Sequence, residues 1–490
     1  MPPNWIAPSA LAVLLASQSA VARQSLGQPP VAQPPARQDP VPQPQELVPA
    51  APAAPNTARG PERSWLLELA RSRAANDYEP DRIAAETPLA KLGYDALRAI
   101  RYRPERRIWA DGDSNFALSL LHPGGIFRTR VAIQLIAANG VVQQVPFAPE
   151  LFTYGEGIDA NVAAEARGFS GFRVLHPLNR PDQLDEFLVF QGASYFRALG
   201  RGHHFGVSAR GLAIGTGEPE GEEFPDFTSF WIAEPPRDST ELVLHALLES
   251  VSVTGAYTFV ARPGDETVIE VTATLFPRRD IDALGIAPLT SMFLFDTANR
   301  VRFDDYRDAV HDSDGLQMIT GAGERLWRPL DNPRELRISA FSDDNPKGFG
   351  LVQRRRGFAG YGDLEARYDQ RPSAWVEPVG RWGPGAVVLV EIPTPTEFND
   401  NIVAFWRPSA PLQAGEERTW VYRLRFSDRA PDATPLARVV ETRAGVAPNT
   451  GNRLFAIDFE PSETTTAEVE FVAEQTAGRI VHAALHTLPE

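Results

Sequence analysis

Thr267-Val268-Ile269-Glu270-Val271-Thr272-Ala273 is the stretch that decides the fold class. In an extended chain Ile269, Val271 and Ala273 point to one side, and Val268, Glu270 and Thr272 to the other. β-Branched residues at this density suit a pleated, half-buried surface. The same texture recurs from Arg103 onward, in Phe116-Ala117-Leu118-Ser119-Leu120-Leu121, Val131-Ala132-Ile133-Gln134-Leu135-Ile136, Val251-Ser252-Val253-Thr254 and Ala386-Val387-Val388-Leu389-Val390-Glu391. Gly, Pro, Asn and Asp lie between these runs. Period-two strands with turn punctuation predict an all-β sandwich or barrel. No fixed-period internal repeat is present.

Two helices are expected. Ser64-Trp65-Leu66-Leu67-Glu68-Leu69-Ala70-Arg71-Ser72-Arg73-Ala74-Ala75 has helical spacing and a Ser at its start, and a second short helix covers Tyr94 to Ile100. Before them, residues 23–62 are Pro, Ala and Gln, a composition too poor in apolar residues to order and read as an extended linker. Residues 1–22 read as a signal peptide: Trp5 to Ala16 is apolar and precedes the cleavage pattern Ala20-Val21-Ala22. The apolar run is too short to span a bilayer, and no twin-arginine pair precedes it, so the general secretion route is expected. A large β domain is expected over 63–430, and a break falls near Ser427-Asp428-Arg429-Ala430-Pro431. Beyond it, Arg453-Leu454-Phe455-Ala456-Ile457-Asp458-Phe459 and Ala467-Glu468-Val469-Glu470-Phe471-Val472 predict a second small β unit over 436–490. Its length, about 55 residues, supports little core of its own, so it is expected to dock on the large domain.

The chain has 490 residues, 43% hydrophobic, with a formal charge of -15. An acidic chain of this kind lacks the basic stripe of a nucleic-acid binder, and a neutral partner such as a sugar suits it. There is no cysteine, which excludes disulfides, thiolate catalysis and cysteine metal sites. The eight histidines form no H-E-x-x-H motif, and no metal is expected. No G-x-S-x-G elbow and no G-x-G-x-x-G turn appears, so neither a serine hydrolase nor a nucleotide cofactor is supported.

Chemistry concentrates in Val310-His311-Asp312-Ser313-Asp314-Gly315-Leu316 and Glu397-Phe398-Asn399-Asp400-Asn401-Ile402. Glycan cleavage needs one carboxylic acid to protonate a leaving oxygen and one carboxylate to activate water. Spacing alone reads both segments as turns, because Asp, Asn, Ser and Gly are the ordinary turn residues. Aromatics and arginines recur together, as in Tyr195-Phe196-Arg197, Phe230-Trp231, Leu326-Trp327-Arg328 and Ala374-Trp375. Rings can stack on sugar faces and guanidinium groups can bind hydroxyls, yet the same residues build sandwich cores.

Several ordered segments resemble one family, the periplasmic osmoregulated-glucan biosynthesis proteins G and D. They are Phe169-Ser170-Gly171-Phe172-Arg173, Gly192-Ala193-Ser194-Tyr195-Phe196-Arg197, Ser208-Ala209-Arg210-Gly211-Leu212, Phe230-Trp231-Ile232, His311-Asp312-Ser313-Asp314-Gly315-Leu316, Asn345-Pro346-Lys347-Gly348-Phe349-Gly350, Trp375-Val376-Glu377-Pro378 and Asn399-Asp400-Asn401-Ile402-Val403-Ala404-Phe405-Trp406. The resemblance implies a large sandwich of the sugar-mutarotase type followed by a small immunoglobulin-like sandwich. It implies a periplasmic protein acting on a β-1,2-glucan backbone, with inner-membrane glucan synthase machinery as a partner. It implies an anomer-inverting endo-β-1,2-glucanase with Asp400 as general acid and Asp312 as general base through a water relay. Ser313, Tyr368 and Glu397 stand where the family's helper residues stand, and Tyr195, Arg197, Arg210, Trp231, His311 and Trp375 are the expected substrate contacts. Asp314 is demoted to a turn residue.

An acid that holds its proton near neutral pH needs burial or a nearby negative charge, and Glu397 is placed to be that charge. Two departures from the family pattern stand out. Ile214-Gly215-Thr216-Gly217 carries Gly where Asp is common, which is expected to loosen the loop, and the small domain is expected to be incomplete. Two other readings compete: a non-catalytic glucan-binding or scaffold protein, and a sugar epimerase or mutarotase suggested by fold analogy alone.

Overall fold

The computed structural model describes residues 63–431, other than 111, 113, 156 and 157, together with 437–460, 473–475 and 478–486. Residues 1–62, expected to hold a signal peptide and a linker, and the stretch Ala467 to Val472 lie outside the described residues. The chain divides into two compact units, residues 1–431 and 432–490.

Two large open sheets form the first unit. The ten-stranded sheet runs in spatial order Ala117–Leu121, Gly171–Arg180, Gln183–Gln191, Tyr195–Ala198, Ser208–Arg210, Leu284–Ser291, Ile402–Pro408, Pro384–Glu391 and Arg337–Asp344, with Leu212–Ile214 also paired to Leu284–Ser291. The eleven-stranded sheet has Thr267–Pro277 near its middle, between Arg418–Ser427 and Val253–Arg262. Its pairings are antiparallel except where Asp226–Ala233 meets Ala132–Ile136. The all-β expectation holds, and the sandwich rather than the barrel is the form taken.

The deciding strand shows why. Ile269, Val271 and Ala273 enter the core, where they join residues of the facing ten-stranded sheet such as Phe196, Leu289 and Trp406. Val268, Glu270 and Thr272 turn the other way, and Glu270 reaches Arg423 at 3.2 Å. The core is rich in rings: Phe190 touches Phe172, Phe196, Phe227, Phe230 and Phe259 at centroid distances of 5.0–6.0 Å. Each buried ring of this size contributes about 2–3 kcal/mol.

The predicted first helix spans Ser64–Ala74. Leu66 and Ala70 pack on Trp231, Leu247, Ala256 and Phe276, so the helix covers the outer face of the eleven-stranded sheet. Ser64 lies inside the helix, and the capping position belongs to Arg63. The Arg63 guanidinium donates to Ala256 O, Thr272 O and Thr274 Oγ1, so tertiary hydrogen bonds anchor the helix start. The second helix is shorter than expected, Tyr94–Arg98, and a third short one, Ala160–Ala164, was not anticipated. In the second unit the described strands are the hairpin Val439–Val446 and Arg453–Phe459. The second strand coincides with the alternating run read from the sequence.

Candidate active site

Both acidic segments meet at one end of strand Leu284–Ser291. Ile402 pairs with Ser291, and the Asn401 N–H donates to Ser291 O at 3.0 Å. Just past the strand, the Asp312 N–H donates to Met292 O at 2.8 Å, and His311 pairs with Phe293. Asn401 staples the junction. Its amide donates to Phe293 O and Ile392 O, both at 3.0 Å, and its Oδ1 accepts from the Phe293 N–H at 2.8 Å. Ser291 Oγ donates to Ser313 Oγ at 2.9 Å.

Strand alternation supplies the floor. Phe196, Ala209, Leu289 and Ala404 face the sandwich core, so Tyr195, Arg197, Ser208, Arg210 and Thr290 share the opposite face of the ten-stranded sheet. Arg197 Nε donates to Ser208 Oγ at 2.6 Å, and its Nη2 lies 3.6 Å from Asp400 Oδ2. Arg210 lies over the Tyr195 ring at 5.3 Å and donates to Glu222 Oε1 at 2.5 Å. Burial pushes the Tyr195 hydroxyl up to about 12.

The two acids sit in different surroundings. Asp400 is 6% exposed. Burial, and to a lesser degree the charge of Asp312, raise its carboxyl to about 6, against the pull of Arg197. Asp312 is wholly buried, and burial lifts its carboxyl also, while Arg371, bonded to its Oδ1, opposes the rise. Asp400 Oδ2 and Asp312 Oδ2 are both buried without a hydrogen bond from the protein. Glu397 is not what lifts Asp400. Its carboxylate is taken by Arg307 at 2.6 Å, and the same guanidinium also holds Asp305 at 2.8 Å and Asp363 at 2.7 Å. The expectation that Glu397 supplies the raising charge gives way to burial.

Tyr368 is buried with the Arg371 guanidinium 4.3 Å from its ring, and burial drives its hydroxyl well above the ordinary range. His311 is buried as well, stacked on Phe293 at 5.4 Å. Its Nδ1 lies 2.9 Å from Gln353 Oε1, which can only accept, so Nδ1 carries the proton. Burial lowers His311 to about 4, and the ring stays neutral as a packing and positioning group. Gln353 ties the same corner together by donating to His311 O and Tyr368 O. Asp314 binds Arg354 through both oxygens, in keeping with a structural role.

Two expected sugar contacts lie elsewhere. Trp231 is wholly buried beneath the first helix, with Trp65 at 5.0 Å. Trp375 is buried with Val352 and Ala430 and lies over Gly348 and Gly350, so closely that a Cβ on Gly348 would come within 2.3 Å of the ring. Neither ring has a face left for a sugar. The loop at Gly215-Thr216-Gly217 is tied to Glu222. Both glycines have left-handed φ, 68° and 82°, and Thr216 Oγ1 donates to Glu222 Oε1 at 2.5 Å. Among the described residues no three His, Asp or Glu side chains converge as metal ligands. His482 and His486 are four residues apart but lie exposed in irregular chain. Arg371, Gln353 and Arg307 escaped the sequence reading, since an isolated Arg or Gln in a loop carries no motif.

Residues 62–490 match the family model described as "Periplasmic glucan biosynthesis protein, MdoG". The chain is 47% identical over 432 residues to glucans biosynthesis protein G of Vibrio cholerae serotype O1, spanning 87% of this chain and 79% of that one. It is 47% identical over 419 residues to glucans biosynthesis protein G 1 of Shewanella oneidensis, spanning 85% and 77%. Among solved structures, a GH36 α-galactosidase from Geobacillus stearothermophilus in complex with raffinose aligns with a TM-score of 0.26 and 11% identity, over 53% of this chain and 40% of that one. A likeness that slight carries no argument about the reaction.

Proposed function

The chain belongs to the periplasmic glucan biosynthesis proteins, and from that membership and its paired buried acids we propose that it is an anomer-inverting endo-β-1,2-glucanase. It is a periplasmic protein, and its role lies in glucan biosynthesis. The observation that supports the enzymatic reading most is the unequal surroundings of two buried carboxyls in one site. Asp400, raised to about 6 by burial, can hold a proton for a leaving oxygen. Asp312, bonded to Arg371, is the better placed of the two to be ionised.

In the proposed step Asp400 gives its proton to the glycosidic oxygen as the bond from that oxygen to the anomeric carbon breaks. A water attacks that carbon from the opposite face, and its proton passes to Asp312. Ser313 suits a relay, because its Oγ accepts from Ser291 and its own proton is then free to move onward. Tyr368 and Glu397 are the helper residues of this scheme, each held in place, by Arg371 and Arg307. Arg197 and Arg210 offer donors to sugar hydroxyls, and Tyr195 offers a ring face.

The test is incubation of the purified protein with linear β-1,2-glucan, followed by NMR. Shortened chains whose reducing ends appear first as the α-anomer are expected. Binding without any product at high protein concentration would transfer the reading to a non-catalytic glucan-binding protein.

A further inference from the structure

Arg371 is almost wholly buried, and each of its three side-chain nitrogens donates a hydrogen bond. Nη1 donates to Asp312 Oδ1, while Nε and Nη2 both donate to Ala366 O, at 3.2 and 3.1 Å. The guanidinium lies 4.3 Å from the centre of the Tyr368 ring. Gly206 presses on its stem: a Cβ there would come within 2.9 Å of Arg371 Cβ. The adjoining backbone is also pinned, since the His204 N–H donates to Gln370 O at 2.9 Å. A guanidinium held this way cannot follow a carboxylate that moves; it holds the carboxylate where it is.

The charged and titratable groups that face Asp312 are Arg371, Arg197, Asp400 and the Tyr368 hydroxyl. Arg197 is already turned to Ser208 and Asp400, and Asp400 is a like charge. The charge of Asp312 is one of those that raise Asp400, and two buried carboxyls that feel each other compete for one proton. We propose that Arg371 is the positioning residue that decides this competition: it keeps Asp312 ionised and, by occupying Oδ1, leaves Oδ2 as the atom that accepts the proton. Arginine suits this place because its guanidinium keeps its charge when buried, where a lysine ammonium can lose it. The proposal rests on the reading of Asp312 as general base.

The test compares Arg371→Met and Arg371→Lys with the parent protein. Arg371→Met is expected to lose roughly 100-fold in kcat/KM at pH 7. Its KM should stay within about threefold, because ground-state binding is not what the residue supplies. The low-pH limb of its rate profile should move up by about one unit or more, and Arg371→Lys should fall between. A loss of rate that is the same at every pH would overturn the proposal. A second readout needs no activity. In protein labelled with 13C at aspartate carboxyls, the Asp312 signal is the one missing from Asp312→Asn. Its titration midpoint should rise in Arg371→Met and, by less, in Arg371→Lys; an unchanged midpoint in folded Arg371→Lys overturns the idea even if Arg371→Met does not fold. A shifted midpoint in a protein that cleaves no glucan leaves the charge-setting role standing and removes the glucanase reading.

Discussion

Asp400 and Asp312 carry the same functional group, and in the proposed mechanism their surroundings divide the roles of acid and base between them. Asp400→Asn removes the proposed proton donor and keeps the shape, so glucan hydrolysis should fall by about 10²–10⁴-fold with glucan binding retained, as reducing-end assays and calorimetry would report. The acid must be protonated and the base ionised. In the parent protein kcat/KM should therefore decline as pH rises through about 6, where Asp400 titrates, and decline again at low pH as Asp312 takes a proton. The same shift affects stability. Because the folded-state value of Asp400 lies above its ordinary one, its contribution is whole below about pH 4 and is lost as pH rises through about 6. Asp400→Asn should therefore stabilise the fold at pH 7.5, by about 2–3 kcal/mol, and bring no gain at pH 3.5. Urea unfolding at the two pH values checks the sign.

Loops and strand ends form the next scale, where the site depends on a few backbone-binding side chains. Asn401 is wholly buried and satisfies three backbone groups on two neighbouring segments. Asn401→Ala strands all three away from water, and a loss of about 3–4 kcal/mol in a urea titration is expected. Glucan cleavage should fall with it even where the protein stays folded, because the preceding residue is Asp400. Arg307 plays the comparable part for loops: one guanidinium gathers Asp305, Asp363 and Glu397.

Across the whole molecule, the ten-stranded sheet carries Tyr195, Arg197, Ser208, Arg210 and Thr290 on its outer face, while the eleven-stranded sheet has part of its own outer face covered by the first helix. Deleting residues 63–74 would uncover Trp231, Leu247, Ala256 and Phe276 together. An apolar patch of that kind should bind a hydrophobic dye and lower the melting temperature, a result scanning fluorimetry would show directly. Retention of the parent melting temperature and no dye binding would mean that the helix adds nothing to the fold.

The alternation of Ile269, Val271 and Ala273 with Val268, Glu270 and Thr272 is enough to predict a strand of a sandwich or barrel, because the side-chain period of a strand is a local property. The acid-bearing segments at Asp312 and Asp400 read as turns on spacing alone, and only the family they resemble singles them out. Alternation states which residues share a face and leaves open what covers it, so Trp231 and Trp375 read as sugar platforms until the helix and the packing around Gly348 enclosed them. The partners of buried charges are likewise chosen by folding. Arg371 meets Asp312, and Arg307 meets Glu397, across long stretches of chain. Pairing across such separations depends on which strand ends the sheets bring together, and that is decided only when the sheets assemble.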